Sequence, residues 1–320
     1  MAYNAHPAYK TSTYLWEPGA EKKLRVTKTS LLSDFGFCPK QYEFKRIDGR
    51  KSPVTDAMTR GINVHDAMEL FYIKVKPRLS EIINFAEKGE DEKALDLLLK
   101  SLPEPDEPYT LGEEPILLTR MEWEYARLLA CEDKEEFLPV YNEVDVHAFI
   151  EESVEVNGET IVVPIHIGGK IDRAFRSEDG RLALMELKTG KWKIGDRYKL
   201  KNMRKEMAFY AWALAEDESK PDDDVSHWGW LYPAGDSGGE GHIKHWDYEK
   251  FKRQYIGYVK KDLHKLLESY ITGNFQPTPS QGKCAWCDFM ADCPAWQEGG
   301  DHHWPAYKQK PKIIQKEVKE

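Results

Sequence analysis

Residues 141–190 constrain the fold of this chain more than any other stretch. The runs VYNEVDVHAFI, ETIVVPIHIGGKIDRAFRS and RLALMELKTG are rich in β-branched and aromatic residues, and Asn157-Gly158 and Asp179-Gly180 punctuate them. Asn-Gly and Asp-Gly tolerate the positive φ angles that tight hairpin turns demand, so the three runs should fold back on one another as antiparallel strands. Helical periodicity flanks them, over 56–76, an acidic stretch 80–102 that ends at the break PEPDEP, 115–131, 203–216 and 249–272. VSHWGWLYP reads as a further strand with HIKHWDY beside it. Helix, three strands, helix and strand is the order of an α/β protein with a small mixed β-sheet flanked by helices. Residues 1–29 carry no period and read as an N-terminal extension. Thr29-Ser30 is a plausible helix start leading into FGFCPKQYEFKR. The segment 30–296 reads as one domain, and 297–320 as a polar, Lys-rich tail expected to be loosely ordered.

A chain of 320 residues can bury a sizeable core. It has no apolar run of about 18 residues and no basic-then-apolar leader, so a soluble, cytoplasmic protein without membrane contact is expected. The formal charge of −9 argues against indiscriminate coating of nucleic acid. It leaves room for a local basic groove, because carboxylates that hold cations also count as negative.

The chemistry concentrates in GGKIDRAF and LALMELKTG. Residues two apart in a strand share a face, so Glu186 and Lys188 point together, and a hairpin partner can bring Asp172 beside them. Two carboxylates and the main-chain carbonyl of Leu187 make an oxygen-rich site suited to Mg2+ or Mn2+. The Lys188 ammonium can serve a developing oxyanion. An ordinary cross-strand ion pair on a solvated hairpin is the plain alternative. Upstream, GINVH places His65 on a helix. Downstream, GKWKIGDRYKLKNMRK holds Lys199, Lys201 and Lys205 among seven basic residues against one acid. Such a strip can track phosphates, with Trp192 and Tyr198 available to stack on bases, or it can be a solvated loop. Three of the five cysteines, Cys284, Cys287 and Cys293, follow C-x2-C-x5-C spacing. A fourth thiolate must come from afar, from Cys38 or from Cys131, and spacing suits zinc and an iron–sulfur cluster alike.

Gly61-Ile-Asn-Val-His65, Gly169-Lys-Ile-Asp172 and Glu186-Leu-Lys188, in this order, resemble the motifs of the PD-(D/E)XK nucleases. With the cysteines they are most similar to the RecB-like iron–sulfur branch that includes CRISPR-adaptation exonucleases and AddB-type nuclease domains. The resemblance covers residues 30–295 and implies a restriction-endonuclease-like core with a helical insertion. It implies that His65, Asp172, Glu186 and the Leu187 carbonyl hold Mg2+ or Mn2+, with Asp172, Glu186 and Lys188 as the catalytic set. It also implies a 4Fe-4S cluster on Cys38, Cys284, Cys287 and Cys293 that staples the ends of the domain. The implied activity is metal-dependent DNA exonuclease action in recombination, repair or processing. The substrate would be DNA with single-stranded ends, and a separate helicase or recombination protein would be the partner, since no P-loop is present. A structure-specific endonuclease and a non-catalytic cluster-stapled adaptor are the alternatives. The family places Gln-x-x-x-Tyr on the helix after the lysine, with the tyrosine contacting DNA. Here Tyr210 is kept, but Glu206 stands at the glutamine position, and a carboxylate cannot supply an amide's donors. Glu206 could instead reach the metal or pair with a lysine.

Overall fold

The structure, a computed structural model, describes residues 15–16, 23–105, 108–192, 197–220, 223–235, 242–247 and 252–296. The tail read as loosely ordered lies outside the described residues. The strands are β1 (Leu15–Trp16), β2 (Lys23–Thr27), β3 (Tyr141–Val156), β4 (Glu159–Arg176), β5 (Leu182–Leu187), β6 (Val225–Tyr232) and β7 (His242–Asp247). The longer helices are α1 (Asp56–Val75), α2 (Leu79–Glu87), α3 (Asp91–Leu99), α4 (Glu113–Ala130), α5 (Arg197–Ala215) and α6 (Lys252–Thr272).

Strands β3 to β7 form a mixed sheet flanked by helices, the architecture expected of a restriction-endonuclease-like fold. The hairpin turns behave as their sequences require: Asn157 and Gly158 take φ of 53° and 83°, and Gly180 takes 78°. Strand β4 pairs antiparallel with β5 in the register Arg173↔Met185. Strand β6 then pairs with β5 in parallel, Glu186↔Trp230 and Leu187↔Leu231, and β7 closes antiparallel on β6. A parallel pair needs a crossover, which α5 supplies between β5 and β6. Nearly all of β6 is buried, as befits a central strand covered on both faces.

The chain clusters into two compact units, both discontinuous. The first comprises 1–53, 150–166 and 260–320; the second comprises 54–149 and 167–259, so the stretch 30–296 read as one domain spans both. In the second unit, α1 buries Val64, Ala67, Met68, Phe71, Tyr72 and Val75 at helical spacing, and the core continues through Leu98, Met121, Leu128, Leu187 and Leu231. In the first unit, Phe44, Phe289, Cys293 and Ala295 cluster, and Tyr42 stacks on Phe275 with ring centroids 5.8 Å apart.

Three boundaries differ from the sequence reading. Strand β2 lies inside the segment read as an extension: Leu24 and Val26 are buried, but five residues are too few to register a period. The expected cap at Thr29-Ser30 sits earlier, where Thr27 and Ser30 exchange side-chain and backbone bonds (Thr27 N to Ser30 Oγ 2.8 Å, Ser30 N to Thr27 Oγ1 3.1 Å). Helix α5 begins at Arg197 rather than 203, because lysine, arginine and leucine are good helix formers whatever their net charge.

Candidate functional site

The site grows from the place where the β4–β5 ladder ends. One step beyond Arg173↔Met185 the Asp172 carboxylate takes over, with Oδ2 accepting from Leu187 N at 2.9 Å. The Leu187 carbonyl points to His65, whose Nε2 lies 3.1 Å from it. Thr55 caps α1 by accepting from Met58 N, and the buried stripe of that helix fixes its rotation, so His65 faces the strand end. Gly61 approaches the same end, its Cβ direction meeting Thr189 Oγ1 at 3.7 Å.

The other imidazole nitrogen, Nδ1, lies 3.1 Å from Glu143 Oε1 and 3.7 Å from Asp172 Oδ2. Among the described residues, His65, Glu143 and Asp172 form the one group of His, Cys and carboxylate side chains whose ligand atoms all lie within 4.8 Å of one another. Burial pulls the His65 pKa down, but the hydrogen bond to Glu143 and the charge of Asp172 outweigh it, and the net shift is upward. Glu143 was not singled out from sequence. Its backbone has φ of 51°, a left-handed conformation that costs a non-glycine residue about 1–2 kcal/mol, and its carboxylate is only 7% exposed. Lys170 Nζ at 3.8 Å and the fully buried Arg173 guanidinium at 4.0 Å flank it. The one usable signal was chemical: a ligand histidine wants a carboxylate on its second nitrogen, and β3 offered Glu143 and Asp145.

Glu186 stands outside that group. Its Oε1 accepts from Lys188 Nζ at 2.5 Å, and Lys188 also donates to Glu206 Oε2 at 3.0 Å. The backbone of Lys188 is fixed by its N–H to Leu231 O, 2.8 Å, which continues the β5–β6 pairing. Helix α5 reaches the sheet closely because residue 169 is glycine: a Cβ there would meet Tyr210 Cε1 at 2.8 Å. Glu206 lies one turn before Tyr210 and so is brought to the Lys188 ammonium.

The donor set fits a hard divalent cation. It comprises one imidazole and two carboxylates with ligand atoms within 4.8 Å of one another, beside the Leu187 carbonyl. A profile of the PD-(D/E)XK nuclease superfamily matches residues 29–294. The chain belongs to this superfamily. No curated protein matches it significantly. Among solved structures it is similar to the protein SSO0001, with 12% identity, 87% of this chain and 89% of that chain covered, and a TM-score of 0.37. It is also similar to a protein of Eubacterium rectale described as a putative exonuclease, with 13% identity, coverage of 84% and 87%, and a TM-score of 0.46.

In this PD-(D/E)XK chain the basic strip is not linear. From Arg197 onward it is helical, so Lys201 and Lys205, four apart, share a face, and Lys199 lies about 160° round the helix from Lys201. Lys199 packs its ammonium over the rings of Tyr232, 4.9 Å, and Trp192, 5.7 Å. Trp192 itself is 5% exposed and set edge-on to Tyr232, so the stacking on bases foreseen for it does not hold: the sheet has claimed the ring. The Tyr198 side chain and residues 193–196 lie outside the described residues. Tyr210 is buried, with its ring against Gly169.

The cysteines converge within the first unit. Cys38, Cys284, Cys287 and Cys293 line one cavity with Phe37, Phe44, Met290 and Trp296. Thr278 N lies 3.4 Å from Cys38 Sγ. Burial pushes the Cys287 thiol up, and the neighbouring Cys38, Cys284 and Cys293 add to the shift. Four uncrosslinked thiols in a cavity that Phe37, Phe44, Met290 and Trp296 line together with Lys40 and Lys283 fit a thiolate-held metal, whose charge offsets their mutual repulsion. Cys131 ends α4 in the second unit, half-buried.

Proposed function

We propose that this nuclease-superfamily member is a Mg2+- or Mn2+-dependent DNA exonuclease that acts on single-stranded ends. The observation that carries the reading is the meeting of His65, Asp172 and the Leu187 carbonyl at one strand end, with Lys188 beside them. His65, Asp172 and Leu187 O would hold the cation, with Glu186 and Glu143 adjacent. The cation would supply Lewis acidity toward the phosphodiester and lower the pKa of an attacking water. Lys188 donates to the phosphate oxygen that gains charge, a role in which removing one donor costs about 10²-fold or more. Asp172 orients the Leu187 peptide so that its carbonyl faces inward. Lys201 and Lys205 bind the phosphate backbone.

Cys38, Cys284, Cys287 and Cys293 hold a 4Fe-4S cluster in this reading, supported by their convergence and by the motif resemblance; zinc on the same thiolates is the alternative. Intracellular action in recombination, repair or DNA processing, alongside a separate helicase or recombination protein, completes it. The test uses anaerobically purified protein with Mn2+ on end-labelled linear and circular single strands. Linear DNA should be degraded from an end and circles spared; cutting of circles would make the protein an endonuclease. Lys188→Ala should lose at least about 10²-fold in turnover at saturating metal. Near-normal turnover of that variant would mean that the active site lies elsewhere.

A further inference from the structure

Lysine carries a charge on a flexible four-carbon stem, so an ammonium that must meet one oxygen of a passing phosphate needs more than its own backbone to aim it. Among the described residues, two carboxylates anchor Lys188. One, Glu186 at 2.5 Å, comes from the same strand two residues away. The other, Glu206 at 3.0 Å, comes from α5, an independent element. Glu206 is 17% exposed at its side chain and Lys188 26%, so water screens this contact weakly. Helix α5 does not depend on the pair for docking, because Met203, Met207, Phe209 and Trp212 are buried and Tyr210 is locked against Gly169.

We propose that Glu206 is a positioning residue that holds the Lys188 ammonium toward the scissile phosphate. A single anchor on the same strand lets the stem pivot about β5; a second from across the site fixes the direction. If Glu186 also served the proposed cation, its carboxylate would be shared between two positive charges. Glu206 keeps Lys188 aimed whichever way Glu186 turns. The inference rests on the reading of Lys188 as the oxyanion donor.

Glu206→Ala and Glu206→Gln, with Lys188→Ala as reference, would be assayed on a linear labelled oligonucleotide at saturating Mn2+. The alanine variant should lower kcat about 10-fold or more, with KM within about 2-fold and Tm unchanged. Glutamine keeps an oxygen that accepts from Lys188 and should recover most of that loss. A readout independent of turnover is the NMR signal of the Lys188 ε-carbon in protein labelled at lysine, assigned by its disappearance in Lys188→Ala. It should shift and sharpen in Glu206→Ala as the ammonium is released. Unchanged kcat in Glu206→Ala, or a raised KM that glutamine does not rescue, would overturn the positioning role. If Lys188→Ala itself keeps turnover, the underlying assignment of the active site fails. If Lys188→Ala is inactive and Glu206→Ala normal, the positioning role alone fails.

Discussion

His65 is gripped from two sides, by Glu143 and by the Leu187 carbonyl, and the first of these grips was hidden in the sequence. Asp172, Glu186 and Lys188 could be found because strand parity and hairpin turns fix their neighbours, and His65 because Gly61-Ile-Asn-Val-His65 precedes them in the order of a known motif set. Glu143 could not, because a left-handed φ at a non-glycine residue leaves no trace in residue type, and its partners are 78 positions upstream and about 30 downstream. A carboxylate that orients a metal-ligating histidine typically supports affinity by about 10- to 100-fold. Glu143→Ala should therefore weaken Mn2+ binding by about 10-fold or more, read by isothermal titration without substrate. Unaltered Mn2+ affinity would reduce Glu143 to a partner of Arg173 and Lys170.

The elements divide between recognition and support, and α5 and α4 illustrate each. Of the seven basic residues that looked like one strip, five lie on α5, where helical rotation puts Lys201 and Lys205 on one face and Lys199, packed on Tyr232, on another; Lys201 has its own ring contact with Tyr258 at 4.9 Å. Lys201→Ala with Lys205→Ala should make the logarithmic salt dependence of single-strand binding shallower by about 1.4, about 0.7 for each phosphate no longer neutralised. Lys199→Ala should leave the slope alone. Fluorescence anisotropy over a range of salt concentrations checks both. On α4, Glu124 is fully buried between Arg120 and Arg127, the latter at 2.7 Å. Burial alone would raise its pKa, but the two guanidiniums hold it below the usual carboxylate range. A depressed folded-state pKa gives stability that is present above the unfolded value of about 4.3 and is lost as pH falls below it. Glu124→Ala takes the carboxylate from the buried Arg120 and the half-buried Arg127 and should cost about 3 kcal/mol in urea unfolding at pH 7. The penalty should shrink as pH falls below the unfolded value toward the depressed folded one, because the wild-type protein loses the same interaction over that range.

For the whole molecule, the mixed sheet was legible because Asn157-Gly158 and Asp179-Gly180 dictate hairpins, whereas the division into two units was not, since the first is assembled from three separated chain segments. Cysteine spacing marked three candidate ligands and left the fourth open between positions 38 and 131; the convergence of Cys38 with Cys284, Cys287 and Cys293 on one cavity favours the former. A metal on these four thiolates ties the first segment of that unit to the third, closing a loop of about 250 residues. In the flexible-chain estimate such closure costs about 5 kcal/mol, comparable with the whole stability of many domains at about 5–15 kcal/mol. The ring contacts Tyr42–Phe275 and Phe44–Phe289 join the same segments but do not crosslink them. Cys38→Ala should thus come off an anaerobic purification colourless, with iron and acid-labile sulfide depleted and a lowered Tm. Cys131→Ala should stay brown and melt like the wild type. Zinc without iron in the wild-type protein would replace the cluster but keep the contrast between the two variants. A full metal complement in Cys38→Ala together with its loss in Cys131→Ala would move the fourth ligand to the second unit and break the link between the chain's first and last segments.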